Sequence, residues 1–371
     1  MIKDTSCLWK KTLTCLGAYL LDPNARHSVM IYPMEFVKVL KTSRFLDPSR
    51  GYDEVKRYSE VRYDPLTGHT SRILDFPVRE VKKSDLTGLI KTSRQFCPFC
   101  PELVEYVTPK FHPDLANKER YSQGQALCVP NAFPYDENGA VTVMTSEHFV
   151  ALNEFTTEVM TDAFECCFQY LTDVIAKQND MIYQSVNWNY MSQAGGSIIH
   201  PHLQIAASSS PTNYYTYAVA ALSQYQDEHG SGYWSDLVKE ENMRGERMIA
   251  TTKDISWIVA FAPMGIFDII GVLKGVRSPE DIRGEILQEL VSGVLKVMSY
   301  IDSLNMCSLN LSTYFLLANH LFTPHIRICP RVNIPPFDTS QINYMGMLHN
   351  ETLTILKPED ICVGIKPLWR A

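Results

Sequence analysis

Apolar and polar positions follow two rhythms along this chain, and the rhythms occur in the same order twice. ALCVP at 126–130 reads as a short strand, NAFPYDENGA as a turn-rich link, and Ala140–Met144 as a second strand. Met160, Phe164, Phe168, Leu171 and Ile175 then recur at steps of three and four, the spacing of one helical face. Alternation around Met181–Asn187 and at Leu203–Ala207 predicts two more strands. In the second half, Trp257–Ala262 and Asp268–Leu273 read as strands. Leu287, Leu290, Val294, Val297 and Ile301 form a helical stripe, and Ser308–Phe315 and His325–Cys329 close the set.

Two strand–strand–helix–strand–strand units make a weak internal repeat. They imply an α+β architecture of duplicated halves, with antiparallel sheets each covered by a helix. The expected organisation is an accessory segment over 1–58, a first half over 59–210, a connector over 211–244 and a second, degenerate half over 245–371. The connector is polar and contains Ser and Gly, and it is expected to hold one or two helical turns.

Composition narrows the class of protein. With 45% hydrophobic and 20% charged residues in 371, the chain supports a folded core. Lys and Arg total 34 against 41 Asp and Glu, a net charge of −7. That balance argues against a protein that coats nucleic acid, yet a small phosphorylated ligand needs only a few local donors. Ten cysteines are spread thinly through a chain too large to need disulfide staples, which suits a reducing compartment. The longest apolar stretch, Trp257–Leu273, is interrupted by Pro263, Gly265 and Asp268 and is too short to span a bilayer. TLTCLGAYLL, after Lys10 and Lys11, imitates a signal peptide, but Asp4 precedes it, Asp22-Pro23 follows and no small-residue cleavage pattern is present. A cytoplasmic protein is expected.

One segment carries a chemical pattern: Asn189-Tyr-Met-Ser-Gln-Ala-Gly195-Gly196-Ser197-Ile-Ile-His200-Pro-His202-Leu-Gln204. Two histidines two apart on a strand share a face. The Gly-Gly-Ser stretch can bring bare backbone N–H groups close to an anion. Imidazole can attack phosphorus while amides neutralise its oxygens. A histidine pair on a strand is by itself more often structural; Asn189, Gly195, Gly196, Ser197 and Gln204 around it favour chemistry. The second pattern, Cys97-Pro-Phe-Cys100, suits tetrahedral zinc, with a redox pair or unliganded thiols as the other readings. His148 and His200 are candidates to complete a metal site. Cys166 and Cys167 read as core, His320 and His325 as isolated histidines, and Val81–Ser84 as a solvated turn.

CPFC, an E-H pair about fifty residues on and N-x6-G-S-x-x-H-P-H-x-Q together resemble the galactose-1-phosphate uridylyltransferase family of the histidine-triad superfamily. RYDPLTG at 62–68 resembles that family's R-x-x-P-L-T-G signature. The resemblance covers roughly residues 60–360 and implies a tandem pair of histidine-triad folds. It implies Cys97, Cys100, His148 and His200 as zinc ligands, and His202 as the nucleophile that forms a nucleotidyl–histidine as sugar 1-phosphate leaves. A phosphorylated acceptor would then take the nucleotide. Ser197 and Gln204 would hold phosphoryl oxygens and Asn189 would contact the same region. Gln204 stands where related hydrolases carry histidine and the transferases glutamine.

The family's second HxH reads Thr323-Pro-His325-Ile-Arg327 here, so no second metal is expected. Its basic R-P segment reads Phe76-Pro-Val-Arg79-Glu, and its sugar-engaging Gly-Tyr-Glu reads Met345-Gly-Met-Leu-His349-Asn350-Glu351. Galactose is therefore not implied. The expected partners are a nucleotide sugar and a phosphorylated sugar or phosphate, without nucleic acid or membrane; a homodimer is compatible with this reading. Two alternatives stand beside it: an ADP-sugar or dinucleoside-polyphosphate phosphorylase, and a catalytically silent zinc-stabilised binding protein.

Overall fold

A strand whose residues alternate between buried and half-buried must have a core face and an open face. Tyr183–Tyr190 and Leu309–Leu316 both have this pattern, and they form the centre of the main sheet. A computed structural model describes residues 34–76, 83, 85–334 and 339–370. The signal-like stretch, Arg79 and most of Val81–Ser84 lie outside the described residues.

The strands are β1 (Lys38–Asp47), β2 (Asp53–Tyr63), β3 (Thr70–Leu74), β4 (Tyr121–Gln123), β5 (Ala126–Pro130), β6 (Asn138–Val143), β7 (Tyr183–Tyr190), β8 (His202–Ser208), β9 (Met248–Thr251), β10 (Ile255–Val259), β11 (Ile269–Leu273), β12 (Leu309–Leu316) and β13 (His325–Pro330). Ten of them form one sheet in the order β4-β5-β6-β8-β7-β12-β13-β11-β10-β9. The order reads the same from either end once the second half is renumbered, so the repeat expected from the sequence is a pseudo-dyad between β7 and β12. The antiparallel sheets of the two halves run together edge to edge. β7 pairs with β12 from Tyr183↔Leu316 to Tyr190↔Leu309, which hides two edges that would otherwise be unpaired.

Two helices lie across the core face. α1 (Thr87–Arg94) and α2 (Pro101–Val107) are short; α3 (Thr157–Lys177) follows β6. α3 begins where the Thr156 hydroxyl accepts the Val159 N–H at 3.2 Å. Met160, Phe164, Phe168 and Leu171 are buried, as their spacing predicts, and Ile175 packs at the cluster's margin. After α4 (Asn213–His229) and α5 (Tyr233–Arg244), α6 (Glu285–Ser303) repeats the arrangement with Leu287, Leu290, Val294, Val297 and Ile301 buried. Both helices and both half-sheets share one apolar cluster. Among the described residues no helix is long and apolar enough to cross a membrane.

Three features differ from the sequence expectation or refine it. The connector holds two full helices rather than a turn or two. Tyr215, Ala218, Leu222 and Tyr225 form a buried stripe on α4, and Tyr233, Trp234 and Leu237 continue it on α5. Its polar composition hides a period carried largely by tyrosine and tryptophan. These helices pack on Ile258, Ile270, Val272 and Leu316, covering the open face of the second half's outer strands.

The boundary expected near residue 58 falls inside β2, which pairs along its length with β1 and then with β3. Thr352–Thr354 adds to β3 in parallel. Arg62, first residue of RYDPLTG, is buried and grips Glu359 bidentately at 2.8 and 2.9 Å, with its guanidinium 4.7 Å from the Phe261 ring centre. Arg247 reaches the same carboxylate at 2.9 Å. Burial alone would raise the Glu359 pKa; the Arg62 hydrogen bonds and charge, with those of Arg247, hold it at about 2. Arg62 therefore clamps the β1–β3 sheet to the second half. Asp64 caps the following turn, accepting the Thr67 N–H at 2.8 Å, and Gly68 closes it at φ +71°.

Candidate functional site

The CPFC segment folds as a knuckle at the start of α2: Cys100 is the N-cap residue, Pro101 sits in the first turn, and the Cys100 N–H meets the Cys97 carbonyl at 3.4 Å. This places both thiols beside His148, just after β6, and His200, just before β8. One ligand atom from each of the four lies within 4.8 Å of all the others, and all four residues are buried. Sulfur-to-Nδ1 separations are 3.6 Å for Cys97–His200, 3.4 Å for Cys100–His148 and 3.7 Å for Cys100–His200. A tetrahedral ion with bonds of about 2.3 Å to sulfur and 2.0 Å to nitrogen sets these pairs about 3.5 Å apart. The four residues can hold a metal ion.

The outer nitrogens are arranged to match. His200 Nε2 lies 2.8 Å from the Thr145 carbonyl, which only accepts, so Nε2 carries the proton and Nδ1 keeps its lone pair for the cluster. His148 Nε2 is 3.0 Å from the Ser93 hydroxyl on α1. Burial pushes the Cys100 thiol up to about 11, aided by neighbouring Cys97, and pushes His200 down to about 4; burial also lowers His148. A neutral Cys100 thiol and neutral imidazoles belong to the apo set. A divalent cation would supply the positive charge that draws the thiols to thiolates.

His202 opens β8, whereas His200 lies in the turn before it, so the two histidines take different roles rather than sharing one strand face. Pro201 separates them, and its carbonyl accepts the Met144 N–H at 3.0 Å. His202 Nδ1–H donates to the His200 carbonyl at 2.8 Å. This fixes the tautomer and leaves Nε2 with a lone pair and no partner among the described residues. Burial lowers the His202 pKa and keeps the ring neutral. Phe99, from within the CPFC knuckle, places its ring 5.3 Å from the imidazole. Gln204 follows on the same face of β8, half-buried, with its side chain unbonded among the described residues.

The Gly-rich loop departs from expectation in one respect. The N–H groups of Gly195 and Gly196 are not bare: they donate to the Ser192 carbonyl at 3.0 Å and the Met191 carbonyl at 3.1 Å. The loop is a tight turn folded back onto the end of β7. Gly195 has φ +88°, and a Cβ on Gly196 would stand 2.6 Å from the Asn189 carbonyl oxygen. Exposed Ser197 remains as the loop's free donor among the described residues.

Asn189 faces the same open side of the sheet. Its Oδ1 accepts from Asn310 Nδ2 on β12 at 2.8 Å. Beside this pair, the Ser312 hydroxyl donates to Asn187 Oδ1 at 2.8 Å. The motif reading missed Asn310, Ser312, Ser93 and Thr145. Alternation in LNLSTYFL would have placed Asn310 and Ser312 on the open face, but nothing local announces which strand lies beside them. Further along that face, a cavity of about 180 Å³ is lined in part by Asn310, Ser312, Arg327 and Arg331. His320 is exposed and His325 buried, and neither belongs to the metal cluster.

No established protein-family model matches the chain. Solved structures share its fold. A GalT-like protein from Arabidopsis thaliana is 15% identical, with 82% of this chain and 98% of that one covered at a TM-score of 0.62. An ADP-glucose phosphorylase from Arabidopsis thaliana, solved with bound ADP-glucose, is 15% identical over 83% and 98% at 0.62. A uridylyltransferase is 17% identical over 84% and 98% at 0.60. These likenesses establish a GalT-like α+β fold. In sequence, an uncharacterized protein of Archaeoglobus fulgidus is 30% identical over 338 residues, spanning 91% of this chain and 99% of its own. With that coverage and identity, the chain belongs to the same family as the Archaeoglobus fulgidus protein.

Proposed function

We propose that this protein is a zinc-containing nucleotidyltransferase that carries a nucleoside monophosphate on His202. The observation that carries the reading is the state of that imidazole: neutral, its Nδ1–H bound to the His200 carbonyl, and its Nε2 unengaged among the described residues. In the first half-reaction Nε2 attacks the α-phosphorus of a nucleotide sugar. The bond to the bridging oxygen breaks and sugar 1-phosphate leaves with that electron pair. The ring becomes a nucleotidyl-imidazolium, whose positive charge strengthens the Nδ1–H bond to the His200 carbonyl. An oxygen of a phosphorylated acceptor then attacks phosphorus, the N–P bond breaks and the neutral ring returns. Asn189, Ser197 and Gln204 would donate to the phosphoryl oxygens. Zinc on Cys97, Cys100, His148 and His200 would fix the start of β8 and take no part in bond making.

The likeness to an ADP-glucose phosphorylase favours a second reading of the acceptor, inorganic phosphate in place of a sugar 1-phosphate. Arg331 and Arg327 beside the open cavity suit either anion. The test uses α-labelled UDP-glucose and ADP-glucose. After incubation and denaturation, label should remain on wild-type protein, and acid-lability should mark it as a phosphoramidate. Chasing with glucose 1-phosphate or with phosphate then identifies the acceptor. Protein that never retains label, with zinc present, would leave the catalytically silent binding protein as the reading.

A further inference from the structure

We infer that Asn310, contributed by the second half, is a positioning residue for the phosphoryl-binding groups of the first half. The inference rests on the nucleotidyl-histidine reading above. Asn310 stands opposite Asn189 in the β7–β12 ladder. Its side-chain nitrogen donates twice, to Asn189 Oδ1 at 2.8 Å and to the Ala194 carbonyl at 2.9 Å.

The order of these bonds fixes the direction of each amide. The Ala194 carbonyl can only accept, so the Asn310 nitrogen must face it. That nitrogen's second N–H then meets the nearer atom of Asn189, which must be its oxygen. The Asn189 NH2 is thereby turned to the other side, where it has no partner among the described residues. Without Asn310 the Asn189 amide could rotate by half a turn and present an oxygen to an anionic phosphoryl group. The same nitrogen also holds the turn that leads into Gly195 and Ser197, because Ala194 ends the helical turn Ser192–Ala194. One side chain thus sets two groups that would face the phosphate.

The pseudo-dyad shows that this job belongs to one half. Gln204 pairs with Asn187 and Arg327 with Ser312, so the counterpart of Asn310 is Ser185. The Ser185 hydroxyl accepts from Asn187, a residue of its own strand, at 2.9 Å.

The test compares Asn310→Ala, Asn310→Asp, Asn189→Ala and the Asn189→Ala/Asn310→Ala double variant in the full metal-loaded chain. Single-turnover labelling from α-labelled UDP-glucose or ADP-glucose should slow about 10- to 100-fold in Asn310→Ala, the loss expected of a misplaced binding group. Asn310→Asp, which keeps the volume but faces two oxygens with a carboxylate, should slow at least as far. In the Asn189→Ala background the further loss should be smaller than in wild type, leaving only the share that acts through the Ala194 turn. Zinc content and Tm should stay near wild type in Asn310→Ala. Unchanged labelling in Asn310→Ala, or losses that multiply fully in the double variant, would overturn the inference. If wild type takes no label at all, the nucleotidyl-histidine reading fails. The positioning claim is then decided by hydrogen exchange of the Gly195 and Gly196 amides. Faster exchange in Asn310→Ala upholds it, and unchanged exchange removes it.

Discussion

The two halves place a histidine at the head of the same strand, and the two rings have opposite fates. His202 and His325 each open their strand, and each Nδ1–H donates to the carbonyl two residues earlier at 2.8 Å. There the likeness ends. His202 Nε2 is unengaged among the described residues, whereas His325 Nε2 accepts from the Tyr214 hydroxyl at 2.6 Å. Trp234 lies 4.2 Å and Tyr314 5.1 Å from the His325 ring, centre to centre. Two residues before the ring stands His200 in one half and Thr323 in the other. Two residues after stands Gln204, or Arg327 paired to buried Asp268. Tyr314 occupies the place of Asn189. On the reading proposed above, a backbone frame and a tautomer are not enough to make a nucleophile; what the structure shows to differ is whether the second nitrogen is engaged. α4 and α5 carry Tyr214 and Trp234 onto the second half, and among the described residues nothing in the first half plays that part.

The sharpest way to break this comparison is to remove each ring in turn. His202→Ala should lower nucleotidyl transfer by at least about 10⁴-fold, the scale of losing a covalent nucleophile. His325→Gln should leave labelling within about threefold of wild type and cost about 1–3 kcal/mol of stability, because the Tyr214 hydroxyl and the Thr323 carbonyl lose matched partners. Labelling assays and urea unfolding of the same preparations check both. Label carried equally well by His202→Ala would end the assignment of the nucleophile to the first half.

Metal removal divides the halves more mildly. The four residues that could hold a metal all lie between residues 97 and 200, so on the zinc reading purified protein should contain about one zinc per chain. Stripping it with a chelator should raise hydrogen exchange in α2, the β6–His148 link and the head of β8. Amides of β10, β11 and β13 should stay protected. Protection lost equally in both halves would show that the metal supports the whole sheet rather than one site.

How much of this was legible in the sequence follows from which contacts are local. The CPFC knuckle, the histidines and the repeat of strands and helices are short-range patterns, and the structure brings Cys97, Cys100, His148 and His200 together. The edge-to-edge joining of the half-sheets was not legible, because alternation gives a strand its faces but not its neighbour. Asn310 was missed for the same reason: it matters only once β12 lies beside β7. The Gly195 and Gly196 amides were misread because a glycine pair shows that the backbone can turn tightly, not where its N–H groups are spent. Tyr214 and Trp234 were hidden in a connector whose polar composition concealed an amphipathic helix.

The smallest expected effects test whether the repeat extends to packing. Cys128 pairs with Thr142 across β5 and β6, and Trp257 pairs with Gly271 across β10 and β11. Against them, α3 brings the Cys167 thiol to 3.2 Å from the Thr142 hydroxyl in the first half, and α6 brings Gly293 against the Trp257 ring in the second. Three modest side chains in one half are thus matched by one indole and two glycines in the other, which keeps both helices close to their sheets. A Cβ on Gly293 would overlap the Trp257 ring, and one on Gly271 would stand 3.0 Å from it. Gly293→Ala should therefore cost about 1–3 kcal/mol through overpacking, although alanine is the better helix former. Cys167→Ala, which removes one buried sulfur and its contact with the Thr142 hydroxyl, should cost about 1 kcal/mol. If instead Gly293→Ala stabilises the protein in urea unfolding, helix propensity outweighs the indole contact. The second half would then have slack between α6 and its sheet, and the glycine would not be a compensation for Trp257.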